Sequence, residues 1–523
     1  MDNSEVVTRL AKPVKNGLLH LIFSRFFVVA ILLVLQVLIV LGAFVRLIDY
    51  LPWLAFVQAV FSLVMIIWLF NSGMDNSAKL TWMFIIAILP LAGASFLLFT
   101  RLNLGNRKLK ERVESLIEET KTALPQDGAV LDRLEKDGSG TDDLRRYLCR
   151  SGCFPIYDDS DAVFFPSGEA ALEPMLEALQ NAKEFIFLEF FIITEGYFWG
   201  RVLEILMEKA AAGVDVRVMY DGMCEMNSLP SDYCKRLEAH GIRARDFAPI
   251  KPLVSSHYNY RDHRKILVVD GEVAFTGGVN LADEYINRVE RFGYWKDTAL
   301  MVRGGAVKSF LLLFLQMWNL YEPEPEFDRF LQRPAVPAAE PSGFVMPYGD
   351  CPLDGDRVGE TVYIDILNRA TDYVHIMTPY LILDGELEQA LTFAAQRGVD
   401  VKLILPGIPD KKAAYALAKT HYRALTEAGV QIFEFSPGFV HAKVCVSDDE
   451  KAVVGTINLD YRSLYHHFEC ACYLYRCRCV AQIEQDFAET LAQCRPVTEQ
   501  TIRATPIGYK LGGTLLKFFA PLM

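Results

Sequence analysis

"DHRKILVVDGEVAFTGGVN" spans Asp262 to Asn280, and "VHAKVCVSDDEKAVVGTINLD" spans Val440 to Asp460. The second stretch repeats the first. Each places a His two residues before a Lys, an Asp five residues beyond the Lys, a Gly 14 residues after the His and an Asn 17 after it. His263 and Lys265 stand two apart on an expected strand, so they share one face while Arg264 points to the other. The apolar tail of "HRKILVV" seats that strand in a core. Asp270 and Gly271 are a turn signal leading into a second strand, "EVAFTGG". One H-x-K carries little information. Two copies agreeing at His263/His441, Lys265/Lys443, Asp270/Asp448, Gly277/Gly455 and Asn280/Asn458 are not an ordinary solvated face.

The repetition extends beyond the cassettes. "AAGVDVRVMYDG" (Ala211 to Gly222) matches "AQRGVDVKLILPG" (Ala395 to Gly407), and "AHGIRARDFAP" (Ala239 to Pro249) matches "EAGVQIFEFSP" (Glu427 to Pro437). Buried strand patterns such as "FIFLEFFII" alternate with amphipathic patterns such as "WGRVLEILMEKAAAG". A Pro-rich stretch, "EPEPEFDRFLQRPAVPAAEPSG", reads as the connection between copies. Two units of this length are too few and too long for a solenoid, so the expectation is a duplicated α/β domain with a mostly parallel sheet in each half.

The residue types suit displacement at phosphorus. An imidazole can attack, or can donate and accept a proton near neutral pH. Lys and Asn supply donors to oxygens that gain charge in the transition state. Attack and leaving-group protonation fall on opposite sides of an in-line centre, so two facing histidines fit one phosphate and each cassette supplies half a site.

The paired H-x-K-x4-D cassettes resemble those of the phospholipase D superfamily. From about residue 50 to 523 the chain is similar to the bacterial cardiolipin synthase family, in "NYRDHRKILVVDGEVAFTGGVNLADEY", "TPYLILDGELEQAL", "GFVHAKVCVSDDEKAVVGTINLDYRS" and "LLKFFAPLM". The first apolar run and "CEMNSLP" are less typical of it. The resemblance implies a cofactor-free, metal-independent phosphatidyl transfer between two phosphatidylglycerol molecules. On that basis His263 is the nucleophile and His441 the general acid and base, an order that could be reversed. The signature makes His263, Lys265, Asp270, His441, Lys443 and Asp448 the catalytic candidates. Asp270 and Asp448, lying in turns, look architectural. Asn280 and Asn458 are expected on the phosphate, and Asp297 and Glu469 match positions that orient the histidines. A hydrolase or phosphodiesterase using the same cassette is the alternative.

Three apolar runs, Phe26 to Val45, Leu51 to Phe70 and Leu80 to Phe99, each hold 20 residues without a charge. About 20 apolar residues cross a hydrocarbon core of about 30 Å, which predicts N-terminal transmembrane helices. Trp53, Trp68 and Trp82 lie near the ends of the last two runs, where amphipathic rings favour the interface. Basic residues flank the runs on both sides: Arg9, Lys12, Lys15 and Arg25 before, and Arg101, Arg107, Lys108, Lys110 and Arg112 after. Three spans would separate these flanks, so the positive-inside rule does not assign an orientation.

The expected organisation is therefore a membrane anchor over 1–105 and a helical linker over 106–145. A first half over 146–325, a Pro-rich connection over 326–344 and a second half over 345–500 follow, with a membrane-proximal tail over 501–523. Its partners are phosphatidylglycerol and the bilayer, its place the bacterial plasma membrane, multi-pass, with the catalytic part facing the cytoplasm. A net charge of −12 argues against a general nucleic-acid partner. Among 11 cysteines, Cys470, Cys472, Cys477 and Cys479 form C-x-C-x4-C-x-C, read as small apolar strand residues rather than a metal site. His466 and His467 are read as solvated or supporting residues.

Overall fold

The computed structural model describes residues 8–10, 38, 42, 52–90, 93, 94, 97, 106–138, 140–249 and 260–522. Helix α1 (Pro52–Phe70) covers most of the second apolar run, and α2 (Asn76–Ile88) begins the third. Asp75 caps α2 by accepting the amide of Ala78 at 3.0 Å. Pro90, which has no amide hydrogen to donate, stands two residues past the end of α2, and helical geometry resumes there. The third run is thus interrupted rather than continuous, and most of the first lies outside the described residues. Among the described residues no helix is long and apolar enough to cross a membrane.

In the first half the strands are β1 (Asp161–Phe165), β2 (Phe185–Phe190), β3 (Asp215–Asp221), β4 (Arg243–Phe247), β5 (Arg261–Asp262), β6 (Lys265–Val269), β7 (Val273–Gly277), β8 (Tyr294–Lys296) and β9 (Ala299–Arg303). The second half has β10 (Phe344–Asp350), β11 (Tyr373–Met377), β12 (Asp400–Pro406), β13 (Gln431–Phe435), β14 (Gly438–Val440), β15 (Val444–Ser447), β16 (Lys451–Gly455), β17 (His467–Tyr475) and β18 (Cys494–Pro496). One sheet runs β1-β9-β7-β6-β2-β3-β4, the other β10-β17-β16-β15-β11-β12-β13-β18.

These sheets are mixed, which corrects the expectation of mostly parallel ones. Along these two strand orders only β2-β3-β4 and β11-β12-β13 are parallel. The reason is connection length. β2 reaches β3 through α3 (Tyr197–Ala211), whose Phe198, Trp199, Val202, Leu203 and Leu206 bury one face. β6 and β7 are joined instead by Asp270, Gly271 and Glu272, the first two with positive φ (53° and 72°), a tight turn that permits only antiparallel pairing. β15 and β16 repeat this with Asp448 and Asp449 at φ 54° and 55°.

The halves interlock. α4 (Val307–Trp318) packs on β6 of its own half and β10 of the other, and α5 (Cys479–Leu491) packs on β11 and also on β1. Each half also lends a short strand to the other. β5 runs parallel to the start of β17, Arg261 opposite His467 and Asp262 opposite Phe468. β8 runs parallel to β14, Trp295 opposite Phe439 and Lys296 opposite Val440. These two joints position the site.

Candidate active site

Each cassette histidine follows one of the lent joints. The amide of His263 donates to the carbonyl of Phe468 at 2.9 Å, and the amide of His441 to that of Lys296 at 2.7 Å. The residue after each acceptor is a carboxylate: Glu469 and Asp297. His263 Nδ1 lies 2.9 Å from both oxygens of Glu469, and His441 Nδ1 lies 2.7 Å from Asp297 Oδ2. Each cassette histidine is therefore held by a carboxylate from the opposite half.

Burial opposes charge in both carboxylates, yet the neighbouring imidazoles win and hold Glu469 and Asp297 below their ordinary values. An ionised carboxylate can only accept, so each Nδ1 carries the proton and each Nε2 keeps its lone pair. Burial pushes both imidazoles down, His263 well below 6.5 and His441 to about 4. Around pH 7 both rings are neutral.

Lys265 and Lys443 sit on the same strand faces as the histidines. Lys265 Nζ donates to the carbonyl of His263 at 2.5 Å, and Lys443 Nζ to that of His441. Burial lowers Lys265 to about 8 and Lys443 to about 7. Part of the Lys443 shift comes from the charge of Lys265, and part of the His441 shift does too. The two cassettes thus feel one another across the interface, with cations converging as a phosphate site needs.

The signature aspartates lie elsewhere. Asp270 stands at the far end of β6 from His263 and accepts the amides of Lys183, Glu184 and Phe185 at 2.7–2.8 Å. Asp448 does the same for Thr371, Asp372 and Tyr373 at 2.9–3.0 Å. Each ties its cassette turn to the start of the neighbouring strand. Asn280 is buried, accepting from the amide of Ile192 at 3.0 Å and donating to the Tyr285 hydroxyl at 2.9 Å. Asn458 donates to Asp460 at 3.3 Å, and its Oδ1 is buried without a hydrogen bond among the described residues.

Several site residues carried no signal on their own. Tyr285 stands edge-on to His441 at 5.3 Å between ring centres, and Phe191 edge-on to His263 at 4.8 Å. Thr456 donates to Glu469 Oε2. Lys296, behind His441, is ion-paired with Asp486 at 2.6 Å. Aligning the cassettes would have marked Thr456, since Gly278 holds its place in the first copy. Of the two readings given to His467, solvated or supporting, its place fits the second: it is buried, with its ring centre 5.4 Å from that of His263. The four cysteines of the C-x-C-x4-C-x-C pattern are buried and free.

Residues 175–298 and 363–491 match the family model described as "Cardiolipin synthase, PLD-like domain". A cardiolipin synthase of Alkalihalophilus pseudofirmus is 31% identical over 87% of this chain and 91% of its own length. An uncharacterized protein of Streptococcus mutans serotype c is 54% identical over 88% of this chain and 99% of its own. Among solved structures, phosphatidylserine synthase of Haemophilus influenzae superposes with a TM-score of 0.54 at 16% identity, covering 69% of this chain and 93% of that one, a likeness of fold. The chain belongs to the cardiolipin synthase family of phospholipase D-like proteins.

Proposed function

We propose that this chain is a cardiolipin synthase that joins two phosphatidylglycerol molecules through a phosphatidyl-histidine. The observation that carries the reading is the pair of imidazoles held by carboxylates across the two halves, each with a buried lysine beside it. The Nε2 lone pair of His263 attacks phosphorus. The P–N bond forms, the P–O bond to glycerol breaks, and His441 gives its proton to the departing oxygen. The hydroxyl of a second phosphatidylglycerol then attacks from the vacated side. His441 takes that proton, the P–N bond breaks, and cardiolipin leaves with His263 restored.

His441 must be protonated to act as the acid, although burial holds it at about 4 in the free protein. The phosphodiester anion supplies the remedy, since a negative charge within a few ångströms favours imidazolium. Lys265 and Lys443 stabilise the charge on the non-bridging oxygens, and Asn280 and Asn458 orient the phosphate. His263 is the better nucleophile because Glu469 meets its Nδ1 with both oxygens and is itself anchored by Thr456.

The enzyme works at a bilayer of the bacterial plasma membrane. Leu80, Phe84 and Ile88 form an exposed apolar stripe on α2, and Ile507, Leu511, Leu515 and Phe519 form another on α6 (Ile507–Phe519). Phe84 packs against Phe518 at 4.8 Å, so the two helices form one apolar surface that meets lipid. The apolar N-terminal segment completes the anchor. The test is incubation of purified protein with phosphatidylglycerol in mixed micelles containing a chelator. Cardiolipin with equimolar glycerol is the expected product; phosphatidic acid would make the protein a hydrolase.

A further inference from the structure

The ring beside each imidazole differs between the halves. In the β8–β14 joint it is the indole of Trp295, 5.5 Å from the His441 ring. At the matching place in the β5–β17 joint it is the imidazole of His467, 5.4 Å from the His263 ring. An indole cannot ligate a metal and an imidazole can. His467 is 7% exposed, and neither of its ring nitrogens makes a hydrogen bond among the described residues. Its Nδ1 lies 3.5 Å from Glu469 Oε1, too far for a well-formed bond. A buried donor atom in that position is costly unless something partners it.

His263, His467 and Glu469 hold their ligand atoms within 4.8 Å of one another. Two of the separations are 2.9 Å (His263 Nδ1 to Glu469 Oε1) and 3.5 Å (His467 Nδ1 to the same oxygen). Tetrahedral bonds of about 2.0–2.2 Å set neighbouring ligands about 3.3–3.5 Å apart, so small side-chain shifts suffice. We propose that His263, His467 and Glu469 form an inhibitory site for a zinc-type divalent cation, built on the imidazole that attacks phosphorus in the function proposed above.

Inhibition follows from the tautomer. Without metal, Glu469 accepts the Nδ1 proton and leaves the Nε2 lone pair free to attack. A cation on Nδ1 displaces that proton, and the neutral ring then carries its single proton on Nε2. The attacking lone pair is lost, while Glu469 turns from hydrogen-bond acceptor to ligand and water completes the fourth position. Two nitrogens and one oxygen favour zinc, cobalt or nickel over magnesium and calcium, which require oxygen-rich shells.

The experiment uses the full-length protein in detergent, stripped with a chelator and titrated with zinc, cobalt or magnesium. Expected are one cobalt per chain with visible bands of four-coordinate geometry, and zinc inhibition of lipid turnover that excess chelator reverses. Magnesium should do neither. In His467→Gln the zinc needed for half-inhibition, measured against that variant's own metal-free rate, should rise more than about 100-fold, beyond what losing an outer partner of a ligand costs. His466→Asn should leave it unmoved. Absent cobalt bands, cobalt binding undiminished in His467→Gln, or bound zinc without inhibition would each overturn the proposal. If His467→Gln turns over no lipid, cobalt binding alone decides the site. If the protein shows no transferase activity at all, the cobalt result still stands apart from the functional reading.

Discussion

The two halves carry matching cassettes and support them differently. His263 and His441, Lys265 and Lys443, and the turn aspartates occupy equivalent places with equivalent bonds. Behind them the first imidazole leans on a glutamate braced by the hydroxyl of Thr456, and the second on an aspartate braced by the amide of Thr298 at 2.8 Å. Gly278, at the place of Thr456, leaves the room that Asp297 fills: a Cβ there would come within 1.9 Å of Asp297 Oδ1. The difference teaches that duplication kept the imidazole, the lysine and the turn geometry, and let each carboxylate find its own brace.

Removing the cross-half carboxylates is the sharpest way to break this comparison. Asp297→Asn and Glu469→Gln each leave a buried imidazole facing an amide, which no longer selects the Nδ1–H tautomer. Cardiolipin formation should fall by about 10²–10⁴-fold in each, measured as kcat. A loss confined to one variant would mean that a single half carries the chemistry.

The braces should separate the halves. Gly278→Ala drives a methyl into Asp297 and should cost about 10²-fold, the scale of a misplaced catalytic group. Thr456→Val removes one hydrogen bond to Glu469 and should cost about tenfold. Equal losses would remove the asymmetry.

Asp270→Ala and Asp448→Ala each strip the acceptor from three main-chain amides. Both should lower unfolding free energy by about 2 kcal/mol, read from denaturant midpoints, with little change in the rate of the folded protein. A selective loss of turnover in either would return these aspartates to the chemistry.

The smallest effect is a pH difference between the lysines. Burial lowers Lys443 to about 7 and Lys265 to about 8, and only the protonated forms attract phosphate. kcat/KM, which reports the free enzyme, should therefore fall as pH rises through this window. Lys443→Arg keeps its charge throughout, so whatever its absolute rate, its basic limb should move upward by about one unit.

The cassettes were legible because a strand has a period of two: His263 and Lys265 had to share a face, and Asp270 with Gly271 had to turn the chain. Parallel sheets were over-read, since alternating strand and helix patterns mark the crossover at β2-β3-β4 but give no sign of the hairpins that pair antiparallel beside it. The exchange of carboxylates was illegible for a different reason. It depends on β5 joining β17 and β8 joining β14, pairings between segments roughly 150–200 residues apart that no local pattern encodes. Which of its two readings His467 would take, solvated or supporting, was hidden on the same account: "HHFE" gives no sign that Arg261 of the other half pairs beside it. The apolar N-terminal runs were plain and the number of spans among them was not, and the third run is interrupted at Pro90.

The most direct test of one site built from two halves is to trap the covalent intermediate. His441→Asn, supplied with phosphatidyl-p-nitrophenol labelled at phosphorus, whose leaving group needs no acid, should form the P–N bond and be slow to resolve it. After acid-free quenching and proteolysis, label should sit on the peptide containing His263, and none should appear in His263→Asn under the same conditions. Label on His441, or full turnover in either variant without a phosphohistidine, would contradict the account.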